Sequence, residues 1–286
     1  MLTDVATPLT MGILLGGLYG LIALGLSLIF GVMKLINVAH GDFVILSSYL
    51  AFTALSVLHI DPLLSMIIIV PILFGVGWLV QRYLLNKAFR ISMEAPLIIA
   101  FGLSLIIQNL CQIIWTPLAR GLTTSYALRS FDIGPIHLPL VYVFDFVAAL
   151  IVMLSLREFL KRSYLGKAII ASSQDEKAAL LMGINTTRIY IFTFALAIAL
   201  GGLSGIFLGL TFPFVPTSGV SFLIIAFGVV ILGGLGSVLG TLVGGIIFGL
   251  AQTLGGYFFG ATAQLLVPYV LVLVILGSRP QGIFGR

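Results

Sequence analysis

Apolar runs separated by short polar punctuation fill most of this chain, and their lengths predict helices rather than strands. Runs long enough to cross roughly 30 Å of hydrocarbon extend over Leu9–Phe30, Phe43–Leu58, Leu63–Leu85, Ala95–Trp115, Leu138–Leu156, Ile189–Thr211 and Val238–Phe258. Two shorter runs, Ser221–Leu235 and Thr262–Leu276, complete the set. The pattern predicts an all-α polytopic membrane helix bundle of about nine spans, with about eight to ten as the range once short or re-entrant helices are allowed for. Residues 1–286 read as a single transmembrane domain.

One stretch interrupts the pattern. Residues 157–188 read REFLKRSYLGKAIIASSQDEKAALLMGINTTR and hold Arg157, Lys161, Arg162, Lys167, Lys177 and Arg188. Ser173 followed by Glu176 has the spacing of a capping box, in which each side chain takes a free backbone N–H at a helix start. Asp175 and Glu176 then fall at the positive end of the helix dipole. Gly183 stands where a left-handed stop would end the helix, and Ala178, Leu181 and Met182 share one face at i, i+3, i+4 spacing. Two readings follow. Either a short capped helix offers its apolar face to a protein partner, or the stretch is a connector resting on the membrane surface.

Composition excludes an ordinary soluble domain: 60% of residues are hydrophobic and 8% charged, where soluble domains carry about a quarter charged. The spans and their connections nearly use up the chain, so a soluble catalytic or nucleotide-binding domain is not expected. The net charge of +5 belongs to loops flanking apolar runs and does not point to nucleic acid. Lys34, the group Arg82, Lys87 and Arg90, the 157–188 loop, and Arg279 and Arg286 fall on one side of the predicted topology. Asp4, Asp61-Pro62 and most of residues 116–137, with Arg120 and Arg129, fall on the other. Basic residues gather on the cytoplasmic side, so the N-terminus is expected outside and the C-terminus inside. The N-terminus has no basic leader, and the run from Leu9 is expected to be a retained span. Cys111, the single cysteine, allows no internal disulfide.

Glycine spacing predicts how the helices meet. Gly12, Gly16 and Gly20 recur every four residues in the first span, Gly201, Gly205 and Gly209 in the sixth, and Gly236, Gly240 and Gly244 in the eighth, followed by Gly245 and Gly249. Small-xxx-small ridges let backbones approach closely in lipid, where helices gain nothing from the hydrophobic effect. Gly16, Gly20, Gly201, Gly205, Gly236 and Gly240 are therefore expected at close helix contacts.

No catalytic constellation is visible: HExxH, GxSxG and a phosphate loop are missing, and His40, His59 and His137 lie far apart in sequence. The segment Asn37-Val38-Ala39-His40-Gly41-Asp42-Phe43 sets a carboxamide, an imidazole and a carboxylate at the junction of two spans. Polar groups there mark a solute pathway, a gate or a buried structural knot; a structural role would have Asn37 cap the second helix with Asp42 in its first turn. Ser104, Gln108 and Gln112 share one face of the fourth span with Asn109 beside them, where they either bond between helices or line a wet path. Asp145 is expected to snorkel to the outer interface. The breaks at residues 212–216 and 233–237 resemble the interrupted helices that offer bare backbone to solutes in transporters. These features leave a proton- or sodium-coupled transporter using Asp42 and Asp145, or a membrane scaffold, as other readings.

In order along the chain, NVAHGDF, QNL, GKAIIASSQDEKAALLMGIN, LGGLGSVLGTLVGGIIFG and RPQGIFG resemble the LivH-type permease of branched-chain amino-acid ABC importers, over essentially the whole length. The resemblance implies a multi-pass subunit of the bacterial inner membrane that forms half of the translocation path. It implies a second permease of LivM type, two cytoplasmic ATPase subunits and an extracytoplasmic solute-binding protein as partners. No cofactor is expected on this chain, since ATP would be bound by the ATPases. In that family the loop containing Gly183 docks the ATPase, which makes Glu176, Ala179, Leu181 and Gly183 the expected coupling residues. Asn37, His40, Asp42, Gln108 and Asn109 are the expected path or gating residues. Permeases for urea and short amides share much of the same pattern.

Overall fold

In the computed structural model, residues 2–92, 94–127, 129–133 and 136–285 are described. Expectations placed on Arg286 and on the side chains of Asp4 and His137 lie outside the described residues. Among the described residues twelve α-helices, one π-helical turn and one hairpin follow in order: α1 (Leu2–Met33), α2 (His40–Ser56), α3 (Pro62–Val80), the π-helical turn (Gln81–Leu85), α4 (Asn86–Ala88), α5 (Ala95–Trp115), β1 (Ser130–Ile133), β2 (Ile136–Pro139), α6 (Leu140–Arg162), α7 (Tyr164–Gln174), α8 (Glu176–Leu181), α9 (Thr186–Thr211), α10 (Ser218–Gly233), α11 (Val238–Phe259) and α12 (Ala263–Ser278). Among the described residues six helices are long and apolar enough to cross a membrane. The helices α2, α10 and α12 are shorter, at 17, 16 and 16 residues.

Polar residues at the ends account for many boundaries. Asp61 precedes Pro62 and accepts from the Leu63 N–H at 2.8 Å, combining an N-cap with proline at the first helical position. Ser163, Asn185 and Ser237 cap α7, α9 and α11 in the same manner. The expected Leu138–Leu156 span is displaced: β2 pairs with β1 through Pro139, and the helix begins at Leu140 and continues to Arg162. Residues 157–162 are thus the end of α6 and not part of a loop.

The core is formed by α1 and α9, each with 83% of its apolar window buried, against 22% for α3 and α5. Their surroundings show an inverted repeat. The unit α1–α2–α3–α5 is matched by α9–α10–α11–α12: α1 packs most heavily on α11 as α9 does on α3, α2 lies on α9 as α10 lies on α1, and α2 meets α10. The end of α1 and the start of α9 line one cleft through Lys34 and Tyr190, so the two helices run in opposite directions. In each unit the second helix is short, at 17 residues for α2 and 16 for α10. Two repeats of opposite direction built around a pair of short helices are a frequent architecture of membrane transporters.

Glycines set the distance between these helices. A Cβ on Gly16 would strike the backbone of Ile246 and Gly245, and one on Gly249 would strike Gly12 and Gly16, so the α1 and α11 ridges interlock. Gly20 faces the Thr241 carbonyl, and Gly240 abuts Gly233 of α10. Gly236 departs from the expected helical ridge: it lies in the turn between α10 and α11 with φ +82, a left-handed value that favours glycine, and there it meets Gly31 of α1.

Candidate functional site

The NVAHGDF segment does not connect two full-length spans at the bundle's edge. After α1 ends, residues 34–39 turn back into the protein, and α2 starts beside the middle of α1. His40 is fully buried, with Nε2 2.9 Å from the Ile22 carbonyl. A carbonyl can only accept, so Nε2 carries the proton, and Nδ1 has no partner among the described residues. The ring occupies space opened by Gly25 and Gly201, whose Cβ positions would lie 2.7 and 3.2 Å from Cε1. Asn37 is buried and its carboxamide oxygen accepts from the Ala39 N–H at 3.2 Å, one residue ahead of the helix it was expected to cap; Ala39 takes the N-cap place without a side-chain bond.

Asp42, in the first turn of α2, is also buried. Its Oδ1 accepts from Gln108 Nε2 at 3.0 Å, and Gln108 also reaches Ser104 Oγ at 3.2 Å. On the other side lies the first turn of α10: a Cβ on Gly219 would overlap the Asp42 carboxylate, and one on Gly41 would overlap the Gly219 carbonyl. The two short helices therefore meet N-terminus to N-terminus with no side chain between their glycines, and their positive dipole ends bracket the carboxylate. Asn37, His40, Asp42 and Gln108 come together around this junction. Asn109 stands apart, exposed on the outer face of α5 with its amide on the Leu105 carbonyl at 2.7 Å.

The junction is tied to α9 by two serines that spacing alone does not single out. Ser47 Oγ donates to the Gly202 carbonyl at 2.5 Å and Ser48 Oγ to the Gly205 carbonyl at 2.6 Å. Gly205 makes this possible, because a Cβ there would overlap the Val44 carbonyl. Adjacent serines in an otherwise apolar run, with a glycine ridge elsewhere in the chain, are the sequence signal for such a seam. Asp145 does not snorkel: it is fully buried, and Thr211 Oγ1 donates to its Oδ2 at 2.6 Å, because the first turns of α6 pack inward against the end of α9.

At the other end of α9 the polar stretch folds into two helices. The expected capping box is replaced: α7 continues through Ser173, whose hydroxyl donates to the Ile170 carbonyl, and Asp175 caps α8 by accepting from the Lys177 and Ala178 N–H groups at 2.9 and 3.0 Å. A carboxylate at the Ncap serves both the hydrogen bonds and the dipole, so Asp175 takes the place assigned to Ser173. Gly183 has φ +81, and the Ile184 and Gly183 N–H groups bond the Ala179 and Leu180 carbonyls, a Schellman stop. Ala179 faces inward and is buried, while Leu181 and Met182 are 89% and 83% exposed. Glu176 lies against the Tyr190 hydroxyl of α9, and both line a 640 Å³ cleft with Lys34, Phe89, Glu94 and Ser172.

The end of the bundle away from this cleft is closed by loop contacts. Arg120 and Phe214 exchange two backbone hydrogen bonds, and the Tyr126 hydroxyl donates to Asp61 at 3.1 Å. Burial pushes the Tyr126 phenol up to about 12.

A family described as "Branched-chain amino acid transport system / permease component" matches residues 9–276. The high-affinity branched-chain amino acid transport system permease protein BraD of Pseudomonas aeruginosa is 31% identical, covering 96% of this chain and 94% of that protein. The permease protein LivH of Escherichia coli K12 is 29% identical over the same shares, and a probable LivH of Methanocaldococcus jannaschii is 30% identical over 96% and 90%. No solved structure matches the chain. Since the family match runs from the first long helix into the last, taking in the α2–α10 junction and the capped α8, this chain belongs to the branched-chain amino acid transport system permease family.

Proposed function

We propose that this chain is the membrane permease subunit of an ATP-binding-cassette importer and forms half of the translocation path for branched-chain amino acids. The observation that carries the reading is the family match over residues 9–276 together with relatives named for this transport. In this reading residues 1–286 are one permease domain crossing the inner membrane in about nine segments, α2, α10 and α12 among them. The N-terminus is outside and the C-terminus cytoplasmic, in keeping with the basic residues of α6–α9 at the cleft end. A LivM-type permease, two ATPases and an extracytoplasmic binding protein complete the assembly. ATP is bound by the partners, and this chain carries no catalytic group or cofactor of its own.

The geometry offers a route for coupling. An ATPase gripping exposed Leu181 and Met182 would move a helix held at both ends, by Asp175 and by the Gly183 stop. Ala179 and the Glu176–Tyr190 contact would pass the movement to α9. From α9 it would reach α2 through Gly201, Gly205 and the Ser47 and Ser48 hydrogen bonds, and so the Asp42–Gln108 pair at the junction. Interhelical hydrogen bonds in membranes are worth about 0.6 kcal/mol on average, a magnitude that suits a contact that must rearrange in every cycle.

Uptake of labelled leucine, isoleucine and valine tests the reading in cells lacking their own systems and expressing the chain with its partner subunits. Saturable accumulation that stops when the partner ATPase is inactivated is expected. Accumulation that persists without ATPase activity and follows the proton gradient would refute the importer reading, and uptake of urea alone would refute the substrate.

A further inference from the structure

The two short helices that meet at Gly41 and Gly219 are closed differently at their far ends. A helix leaves its last four carbonyls without partners inside it. At the end of α2 the chain serves them at once, with the Val57 N–H on the Thr53 carbonyl and the Ile60 N–H on the Ala54 carbonyl. At the end of α10 the chain leaves directly for α11: the Gly234 N–H (φ +97) bonds the Val230 carbonyl, and Gly236 lies against Gly31 of α1. The Leu232 and Gly233 carbonyls are taken instead by the segment that follows α12, through the Ile283 N–H at 3.0 Å and the Phe284 N–H at 3.2 Å.

The residues of that segment suit the place. Pro280 stops α12, because the residue before a proline is pushed out of helical geometry, and Arg279 is extended at φ −139, ψ 84. Proline then holds the second position of a turn closed by the Gly282 N–H on the Arg279 carbonyl at 2.9 Å. Gly282 is buried with φ +77, and a Cβ on it would overlap the Ile231 carbonyl and the Gly234 nitrogen. Residues 279–285 thus lie as a strap across the end of α10. On its open side the strap has room: exposed Phe284 and the α10–α11 turn share a 440 Å³ cleft with Ile169, Ile170, Ser173 and Gln174 of α7, which leads into α8.

We propose that residues 279–285 position α10 at the junction, and that α7 acts on this strap across the cleft, giving the polar α7–α8 stretch a route to α10 beside the one through α9 to α2. α10 is a 16-residue helix with no proline inside, so a displacement of its strapped end is carried about 24 Å along the axis to Gly219 and Asp42. The coupling half of the proposal rests on the permease reading above; the positioning half does not.

Spin labels at Val220, in the first turn of α10, and at Ile67 of α3, both exposed, report the place of α10 in the assembled importer in lipid nanodiscs. Gly282→Val puts a branched side chain into the overlap, and Ile283→Pro removes the N–H on the Leu232 carbonyl. Each is expected to shift the distance distribution, whereas Gly277→Ala, with open space at its Cβ position, leaves it in place. Unshifted distributions in both strap variants overturn the positioning. For the coupling, cysteines replace Gln174 and Phe284 and are joined across the cleft by a bifunctional maleimide. Bridging is expected to abolish ATP-driven leucine uptake, while a monofunctional maleimide on both cysteines leaves it. Undiminished uptake by the bridged protein, or equal loss with the monofunctional reagent, overturns the coupling route. Shifted label distances in an assembly that imports no amino acid would sink the substrate reading while leaving the strap standing.

Discussion

Replacing Gly205 with alanine adds one methyl group at the tightest point of the α2–α9 seam. The new Cβ would overlap the Val44 carbonyl and lie 2.9 Å from Ser47 Cβ, and neither backbone can yield without moving its whole helix. Overfilling a packed contact costs about 1–3 kcal/mol. Parting the helices also lengthens the Ser47–Gly202 and Ser48–Gly205 hydrogen bonds, worth about 0.6 kcal/mol each on average in membranes. Set against the roughly 1 kcal/mol by which alanine favours helix over glycine, Gly205→Ala should therefore destabilise the protein by about 1–3 kcal/mol. Gly102→Ala is the matched control, since nothing lies within 4 Å of its Cβ position. Unfolding of the detergent-solubilised protein by increasing SDS, followed by tryptophan fluorescence, measures both. The reasoning fails if Gly205→Ala unfolds with Gly102→Ala, because then the seam has room that the geometry denies.

Three further outcomes are expected. Asp175→Ala should remove the cap of α8, costing about 1 kcal/mol, and weaken co-purification of the ATPase, whereas Ser173→Ala should leave it unchanged; equal effects would restore Ser173 as the cap. Leu181→Asp should leave the protein in the membrane but abolish ATPase recovery, because it places an unpaired carboxylate in a subunit contact; retention of ATP hydrolysis stimulated by the binding protein would show that α8 is not the coupling element. A cysteine at Gln174, exposed at the end of α7, should react with a membrane-impermeant thiol reagent only in opened membranes, and labelling of intact cells would reverse the orientation.

Much of the architecture is legible in the residues because membrane insertion is a matter of local composition. The Ala95–Trp115 run becomes α5 with the same boundaries, and Val238–Phe258 becomes α11 with one residue added. The left-handed stop at Gly183 is likewise local. Where one residue can substitute for another, spacing misleads: Ser173 and Asp175 both suit an N-cap, and the continuation of α7 through Gln174 settles the choice. Gly236 has the spacing of a ridge but belongs to a turn, since a four-residue repeat does not say where a helix begins.

The amino-acid sequence by itself determined the class of the protein, its long apolar helices, its one polar stretch and the family whose motifs it carries, because each follows from residues near one another in the chain. Only the tertiary structure decided that α2 and α10 start inside the bundle and meet at Gly41 and Gly219, that Asp42 reaches Gln108, and that Asp145 faces Thr211 and not water. Those contacts join residues 66 to 178 positions apart, and a buried polar group's partner is fixed by which helices pack together, which no local pattern encodes.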